Sequence, residues 1–287
     1  MDVLLSIIFA FGAMIFWGVG DFFIQRTTRA IGNIEALAWI GIIGSIGITP
    51  FILEELPSAF TTSNLIFLAT LGLIVFLATI FNFEALKKGK LSVIDVVLTL
   101  ELPITIILSV LFFSEIVSML QAIMILFTLT GIIIISTKEF SIKKHILEKG
   151  VYIALIAALL TGAVNFMTAT GAKMISPLLA IWFPWIIMTI LCVIIISYRK
   201  GFNTFSINFK KHKRIIIYTG IFDTTAWLFY AYAVQDHAIS IITAIAGGYP
   251  AIALLMGLWF NKETINWHQY LGATMALTAS FVLATTL

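Results

Sequence analysis

Acidic side chains lie inside long apolar stretches of this sequence, where water does not solvate them. These residues are Asp21, Glu84, Asp95, Glu101 and Asp223. An acidic residue at the centre of a membrane helix costs roughly 2.5–3.5 kcal/mol on insertion scales, so such residues normally face a bundle interior or a wet cavity. Desolvation disfavours the charged form of a carboxyl group. A buried acid without a basic partner is therefore a candidate for carrying a proton or for binding a cation.

Glu101 and Asp223 lie deeper in their apolar stretches than Asp95 does. Both lie near the middle, with no Lys or Arg at the same depth. We expect both to bind substrate or carry protons; the structural alternative is a protonated acid that is hydrogen-bonded to a neighbouring helix. Asp95 lies about one turn inside its stretch, near Lys90, where a gate or an ion pair would fit.

The other two acids lie close to the ends of their stretches. Asp21 and Glu84 have Arg26, Lys87 and Lys88 within a few residues along the chain. Structural anchoring by these basic residues and a role in a functional site are both open for them.

Aromatic and amide side chains accompany the acids. Aromatic faces near a carboxylate favour a cationic or aromatic ligand, and amides offer uncharged donors and acceptors. The candidates of this kind are Trp17, Trp227, Tyr230, Asn82 and Asn165.

Two of the apolar stretches carry candidate hinge residues, namely Pro103 in one and Gly247, Gly248 and Pro250 in another. A proline removes one backbone donor and frees carbonyl groups one turn earlier. In lipid such breaks are tolerated only where they face protein or a water-filled cavity. We predict hinges at these positions, with simple bending for packing as the alternative.

The elements that must position these residues are membrane helices. Of the 287 residues, 61% are hydrophobic and 11% are charged, whereas a soluble domain has about 25% charged residues. Because a spanning helix needs about 20 apolar residues, the sequence predicts an all-α membrane protein with ten spans. They cover residues 3–24, 33–53, 64–86, 91–112, 119–137, 150–171, 177–198, 214–234, 239–260 and 267–286.

The basic residues predict the orientation. Sixteen of the 17 Lys and Arg residues fall in alternate loops between the spans, and only Lys173 falls on the other side. Cytoplasmic loops are enriched in Lys and Arg, so we predict that both termini are extracytoplasmic. A missed or added span would place basic residues in the loops on both sides of the membrane. Their restriction almost entirely to one side therefore supports the count of ten spans.

Two halves of the sequence resemble each other. WGVGDF (17–22) matches TGAVNF (161–166), and four later residues recur at an offset of 148: Ala85, Ser92, Glu115 and Gln121 match Ala233, Ser240, Glu263 and Gln269. Because five spans per half is an odd number, the second half enters the membrane in the opposite direction. This inverted-topology repeat is typical of secondary transporters. We predict a first five-helix repeat at 1–140 and a second at 150–287.

Three features resemble the EamA branch of the drug/metabolite transporter superfamily. They are FWGVGDF near the start, the Pro-centred fourth and ninth spans, and the patterns SEIVSMLQ and NKETINWHQ that follow those spans. The resemblance covers essentially the whole chain. It implies a ten-helix basket whose central cavity is lined mainly by spans 1, 3, 4, 6, 8 and 9, with spans 5 and 10 at the periphery.

We therefore predict a secondary transporter, not an enzyme, that moves an amino acid, an amine or a related organic solute across the cell membrane, either coupled to protons or as a facilitator. A sugar or nucleotide-sugar carrier is the alternative within the superfamily, although the acidic core fits it less well. A membrane enzyme or receptor is disfavoured, because the sequence has no HExxH, GxSxG, P-loop or dinucleotide-binding pattern.

The expected partners are the lipid bilayer, a small-molecule substrate and, for a coupled mechanism, protons. We expect a monomer or a homodimer. The net charge of +3 does not indicate nucleic-acid binding, because the basic residues lie in loops. The four histidines lack metal-ligand spacing, so no metal or other cofactor is expected.

Overall fold

The computed structural model describes residues 2–88, 97–98, 100–136, 149–199, 201–260 and 266–287. These residues form a bundle of α-helices. The helices are α1 (Val3–Ile31), α2 (Asn33–Ile52), α3 (Leu56–Ala59), α4 (Thr62–Lys88), α5 (Glu101–Phe113), α6 (Met119–Ser136), α7 (Lys149–Met174), α8 (Pro177–Tyr198), α9 (Phe202–Val234), α10 (Ile239–Ala246), α11 (Tyr249–Phe260) and α12 (Trp267–Ala284).

The helices follow the apolar stretches of the sequence. By length and composition, six segments of the described chain can cross a membrane: Val3–Ile31, Asn33–Ile52, Thr62–Ala85, Tyr152–Met174, Pro177–Tyr198 and Ile239–Phe260. The apolar helices Glu101–Phe113 and Met119–Ile135 are shorter. The structure confirms an all-helical membrane protein, and the number of ten spans stays a prediction.

One predicted loop is wrong. The predicted spans leave residues 199–213 as a connection before the span at 214–234, but α9 begins at Phe202. Phe205 and Phe209 lie one turn apart and stack on Trp39 of α2. This tertiary contact stabilises a helix in a segment that is too polar to be predicted as a membrane span.

Side-chain contacts bring alternate connections together at one end of the bundle. Ser176, before α8, donates a hydrogen bond to the Glu55 carboxylate after α2. The Lys173 ammonium group at the end of α7 donates to the carbonyl oxygen of His237, between α9 and α10, at 2.6 Å. Helices that cross a bilayer in alternating directions place these three connections on one side. The positive charge of Lys173 on that side is stabilised by the carbonyl oxygens of Gln235 and His237.

Helices α6 and α12, each the last helix of a predicted repeat, pack against each other in opposite directions. Gln121, near the start of α6, has its side-chain nitrogen 3.4 Å from the carbonyl oxygen of Thr286, beyond the end of α12. Gln269, near the start of α12, donates to the carbonyl oxygen of Ile135, near the end of α6, at 2.7 Å. The two glutamines are equivalent in the repeat. Their reciprocal bonds are those expected of two related helices that run antiparallel.

Candidate functional site

At each of the two predicted hinges a helix begins one or two residues before the proline. In the first half, α5 begins at Glu101 after the turn residue Leu100. In the second half, α10 ends at Ala246, and α11 begins at Tyr249. Each proline lies in the first turn of the new helix, where a missing backbone N–H costs no helical hydrogen bond. Broken helices therefore accompany both predicted hinges, and movement at them stays a prediction.

The two breaks meet inside the bundle. The Glu101 carboxyl group, on the first residue of α5, is hydrogen-bonded to the side chain of Tyr249, the first residue of α11. Leu102 packs against Gly247 so closely that an added Cβ at the glycine would lie 2.6 Å from the leucine Cδ2. Glu101 thus lies where the two halves of the protein join.

An aromatic cluster lies beside this junction. The ring of Trp17 on α1 is 5.1 Å from Trp227, 5.4 Å from Tyr230 and 6.1 Å from Tyr249, measured between ring centroids. We call these four residues the aromatic cluster. Helix α1 comes close enough to supply Trp17 because residue 18 is glycine: a Cβ there would lie 2.7 Å from the Tyr249 carbonyl oxygen.

Partial exposure distinguishes most of these residues from ordinary core residues. Glu101, Trp17, Trp227 and Tyr249 all keep part of their surface accessible. They lie on α1, α5, α9 and α11, which correspond to the predicted spans 1, 4, 8 and 9. A carboxylate next to aromatic faces suits an organic cation, because both attract positive charge.

Tyr230 belongs to the cluster but is fully buried. Its hydroxyl group lies 3.3 Å from the carbonyl oxygen of Asn165 on α7 and 2.8 Å from the hydroxyl oxygen of Thr243 on α10. Tyr230 thereby links its own helix, α9, to α7 and α10. Asn165 is itself buried and contributes its backbone to this contact.

Asp223 and Asp21 lie on one side of the aromatic cluster. Asp223 is partly buried on α9, one turn before Trp227, and Asp21 is exposed on α1, one turn after Trp17. A helical turn rises about 5.4 Å. Helix α1 approaches α9 here, since a Cβ at Gly20 would lie 3.8 Å from the Asp223 amide nitrogen. Asp223 therefore lies about one turn from the cluster, next to α1.

The remaining candidates lie on or near α4 and α5. Asn82 and Glu84 are partly buried near the end of α4, and Asp95 lies outside the described residues. Within the described part of the chain, no group of three or more His, Cys, Asp or Glu side chains is placed to hold a metal ion.

Tyr249 is a site residue that is not among the predicted candidates, although the sequence contains a signal for it. The repeat offset of 148 pairs Glu101 with Tyr249, so the residues that meet at the junction hold equivalent positions in the two halves. The position of Trp185 near a span end predicts an interfacial anchor, and the structure corrects this interpretation. Trp185 is buried, and its ring centroid is 5.8 Å from that of Trp227, so it supports the cluster from α8.

A second carboxylate joins the halves at the end of the bundle that contains Lys173. The two oxygens of Glu115, in the connection after α5, accept hydrogen bonds from the backbone N–H groups of Ile239 at 2.6 Å and Ser240 at 2.9 Å. These are first-turn groups of α10, which have no partner within the helix. Glu115 therefore caps α10 from the other repeat.

Comparison with known proteins places this architecture in a known group. The model of the EamA-like transporter family matches residues 4–137 and again residues 148–285. A solved structure described only as the crystal structure of a protein is similar over 98% of this chain and 96% of its own, with a TM-score of 0.78 and 13% identity. That identity shows a shared fold alone. No curated protein matches the sequence significantly.

Proposed function

Since this chain belongs to the EamA-like transporter family, we propose that it is a secondary transporter for a small metabolite with a cationic amine, such as an amino acid or an amine. The observation that carries the proposal is the position of Glu101. Its carboxyl group lies at the junction of two broken helices, hydrogen-bonded to Tyr249 and beside the aromatic cluster.

The amine of the substrate would pair with the Glu101 carboxylate and lie against the faces of Trp17 and Trp227. A carboxylate of an amino acid would fit the first turns of α5 and α11, because the start of a helix attracts negative charge. In other transporter folds, the N-terminal ends of half-helices near the middle of the membrane bind anionic groups of the substrate.

Proton coupling follows from the same carboxyl group. An amine can displace the proton of Glu101 by forming an ion pair with the carboxylate, which links the two fluxes through one site. We further propose that the protein resides in the cell membrane with both termini outside, and that the two repeats move relative to each other about the breaks before Pro103 and Pro250.

Uptake into proteoliposomes tests the function. A panel of radiolabelled amino acids, amines and sugars is compared with and without an imposed pH gradient. We expect an amine-bearing substrate to accumulate, and to accumulate further when the gradient drives protons in the coupled direction. Uptake of a sugar with no uptake of any amine would overturn the proposal in favour of a sugar carrier.

Glu101→Gln tests the residue. Glutamine keeps the size and the hydrogen bond to Tyr249 but cannot ionise, so we expect normal folding and loss of the response to the pH gradient. Substrate exchange should survive if Glu101 handles protons only, and should fail if it also holds the amine. Glu54→Gln, the same change at an exposed residue, is the matched control and should transport normally. Full transport by Glu101→Gln with an unchanged pH profile would show that Glu101 is structural.

Asp223→Asn completes the comparison, because Asp223 is the other acid near mid-span. If Asp223 also carries protons, its variant should lose part of the pH response while it keeps its affinity for the amine.

A further inference from the structure

The first part of α9 lies outside the predicted span. The helix is bent at His212, whose backbone angles of φ −119° and ψ 19° are not helical. The bend separates residues 202–211, which we call the arm, from the part of α9 that carries Asp223 and Trp227. Residues 199–214 contain no acidic residue and six basic ones, namely Arg199, Lys200, Lys210, Lys211, Lys213 and Arg214.

One face of the arm is fixed to the protein. Phe205 stacks on Trp39 with ring centroids 4.5 Å apart and planes 6° from parallel, and Phe209 lies against the same indole at 4.2 Å. The side-chain nitrogen of Asn208 donates to a Glu35 carboxylate oxygen at 2.8 Å. The arm is therefore held along the first turns of α2.

The opposite face carries Ile207, which is 54% exposed. Phe202, at the start of the arm and on the same side as Phe205 and Phe209, is 49% exposed. Lys210 and Lys211 are exposed as well, as is Lys213 just after the bend. Residues 210–215 border a concavity of about 240 Å³. Exposed aromatic and aliphatic groups together with lysines characterise helices that lie in the membrane interface.

We propose that the arm is an interfacial helix that binds the headgroups of anionic lipids. The arm continues directly into a membrane helix, so its exposed face lies at the level of the lipid headgroups. Ile207 would insert among the acyl chains, while the lysines pair with lipid phosphates. A basic segment next to a membrane helix attracts anionic lipid in this way. Through Trp39, the bound lipid would also fix the start of α2.

Lipid retention measures this binding. The purified, delipidated full-length protein is mixed in detergent with equal amounts of phosphatidylglycerol and phosphatidylcholine, and bound lipids are counted by native mass spectrometry. We expect preferential retention of phosphatidylglycerol. The preference should weaken in 1 M salt, where the screening length falls to about 3 Å.

A triple variant, Lys210→Gln with Lys211→Gln and Lys213→Gln, tests the arm. Each basic residue near an anionic surface changes lipid affinity about fivefold, so the loss of three should reduce the affinity for phosphatidylglycerol roughly a hundredfold. The matched variant with Arg at the same three positions keeps the charge and should keep the preference. Circular dichroism shows that the compared proteins are folded.

Two results would overturn the proposal. One is a glutamine variant that retains the wild-type preference for phosphatidylglycerol. The other is a protein without lipid preference in which inorganic phosphate alone binds at residues 210–215, which would assign the basic surface to a soluble anion.

Discussion

The contact between Glu115 and α10 allows a prediction with a magnitude. Glu115→Ala removes both acceptors of the first-turn N–H groups of Ile239 and Ser240, which are 0% and 1% exposed. A hydrogen bond to a charged group contributes about 1.5–3 kcal/mol, and its loss leaves a buried donor without a partner. Because Glu115 itself is partly exposed, we take the lower value for each bond and expect a loss of about 3 kcal/mol in the free energy of unfolding.

Glu115→Gln separates hydrogen bonding from charge. Its single carbonyl oxygen can accept one of the two bonds, while the amide NH₂ group faces the second N–H. The favourable interaction of a carboxylate with the start of α10 is also lost. We therefore expect roughly half the cost of the alanine variant, about 1.5–2 kcal/mol.

Equilibrium unfolding by SDS in mixed micelles, followed by circular dichroism, measures both changes. Glu54→Ala is the matched control, since Glu54 is exposed in the connection after α2; surface substitutions usually stay within about 0.5 kcal/mol. If Glu115→Ala costs no more than this control, Glu115 does not stabilise the junction of α10 with the first repeat and the reasoning is wrong.

Three further predictions concern movement, topology and binding. Pro103→Ala and Pro250→Ala should fold but slow the exchange between inward-open and outward-open states, and native transport rates in both would reduce the prolines to packing features. In a background with Cys192 replaced, an impermeant maleimide added to intact cells should label Ser58→Cys but not Ser206→Cys; the reverse pattern would invert the predicted topology. Trp227→Ala should weaken binding of a cationic substrate about five- to thirtyfold, because a desolvated cation–π contact contributes about 1–2 kcal/mol, and an unchanged affinity by isothermal titration would remove this residue from the site.

The helical membrane fold could be predicted from composition and from the length of the apolar runs. These properties act locally: a backbone in lipid must satisfy its own hydrogen bonds, so a long apolar run forms a helix wherever it lies in the bundle. The repeat was visible in residues such as Gln121 and Gln269, which form equivalent bonds because the two halves share one architecture. Pro103 and Pro250 likewise each lie in the first turn of a helix, α5 and α11, where a missing N–H costs no helical hydrogen bond; Pro50 and Pro184 lie inside α2 and α8, so proline alone does not identify a break.

The partners of the functional side chains were decided by tertiary structure alone. Periodicity cannot show which face of an almost wholly apolar helix turns inward, so the contact of Glu101 with Tyr249 and the burial of Trp185 could not be derived from spacing. The same holds for Glu115, which lies in a short polar connection and acquires its role only when the start of α10 packs against it from the other repeat. The arm shows the converse case: residues 202–211 lack the apolar character of a span, and they form a helix against Trp39, a residue more than 160 positions away in the chain.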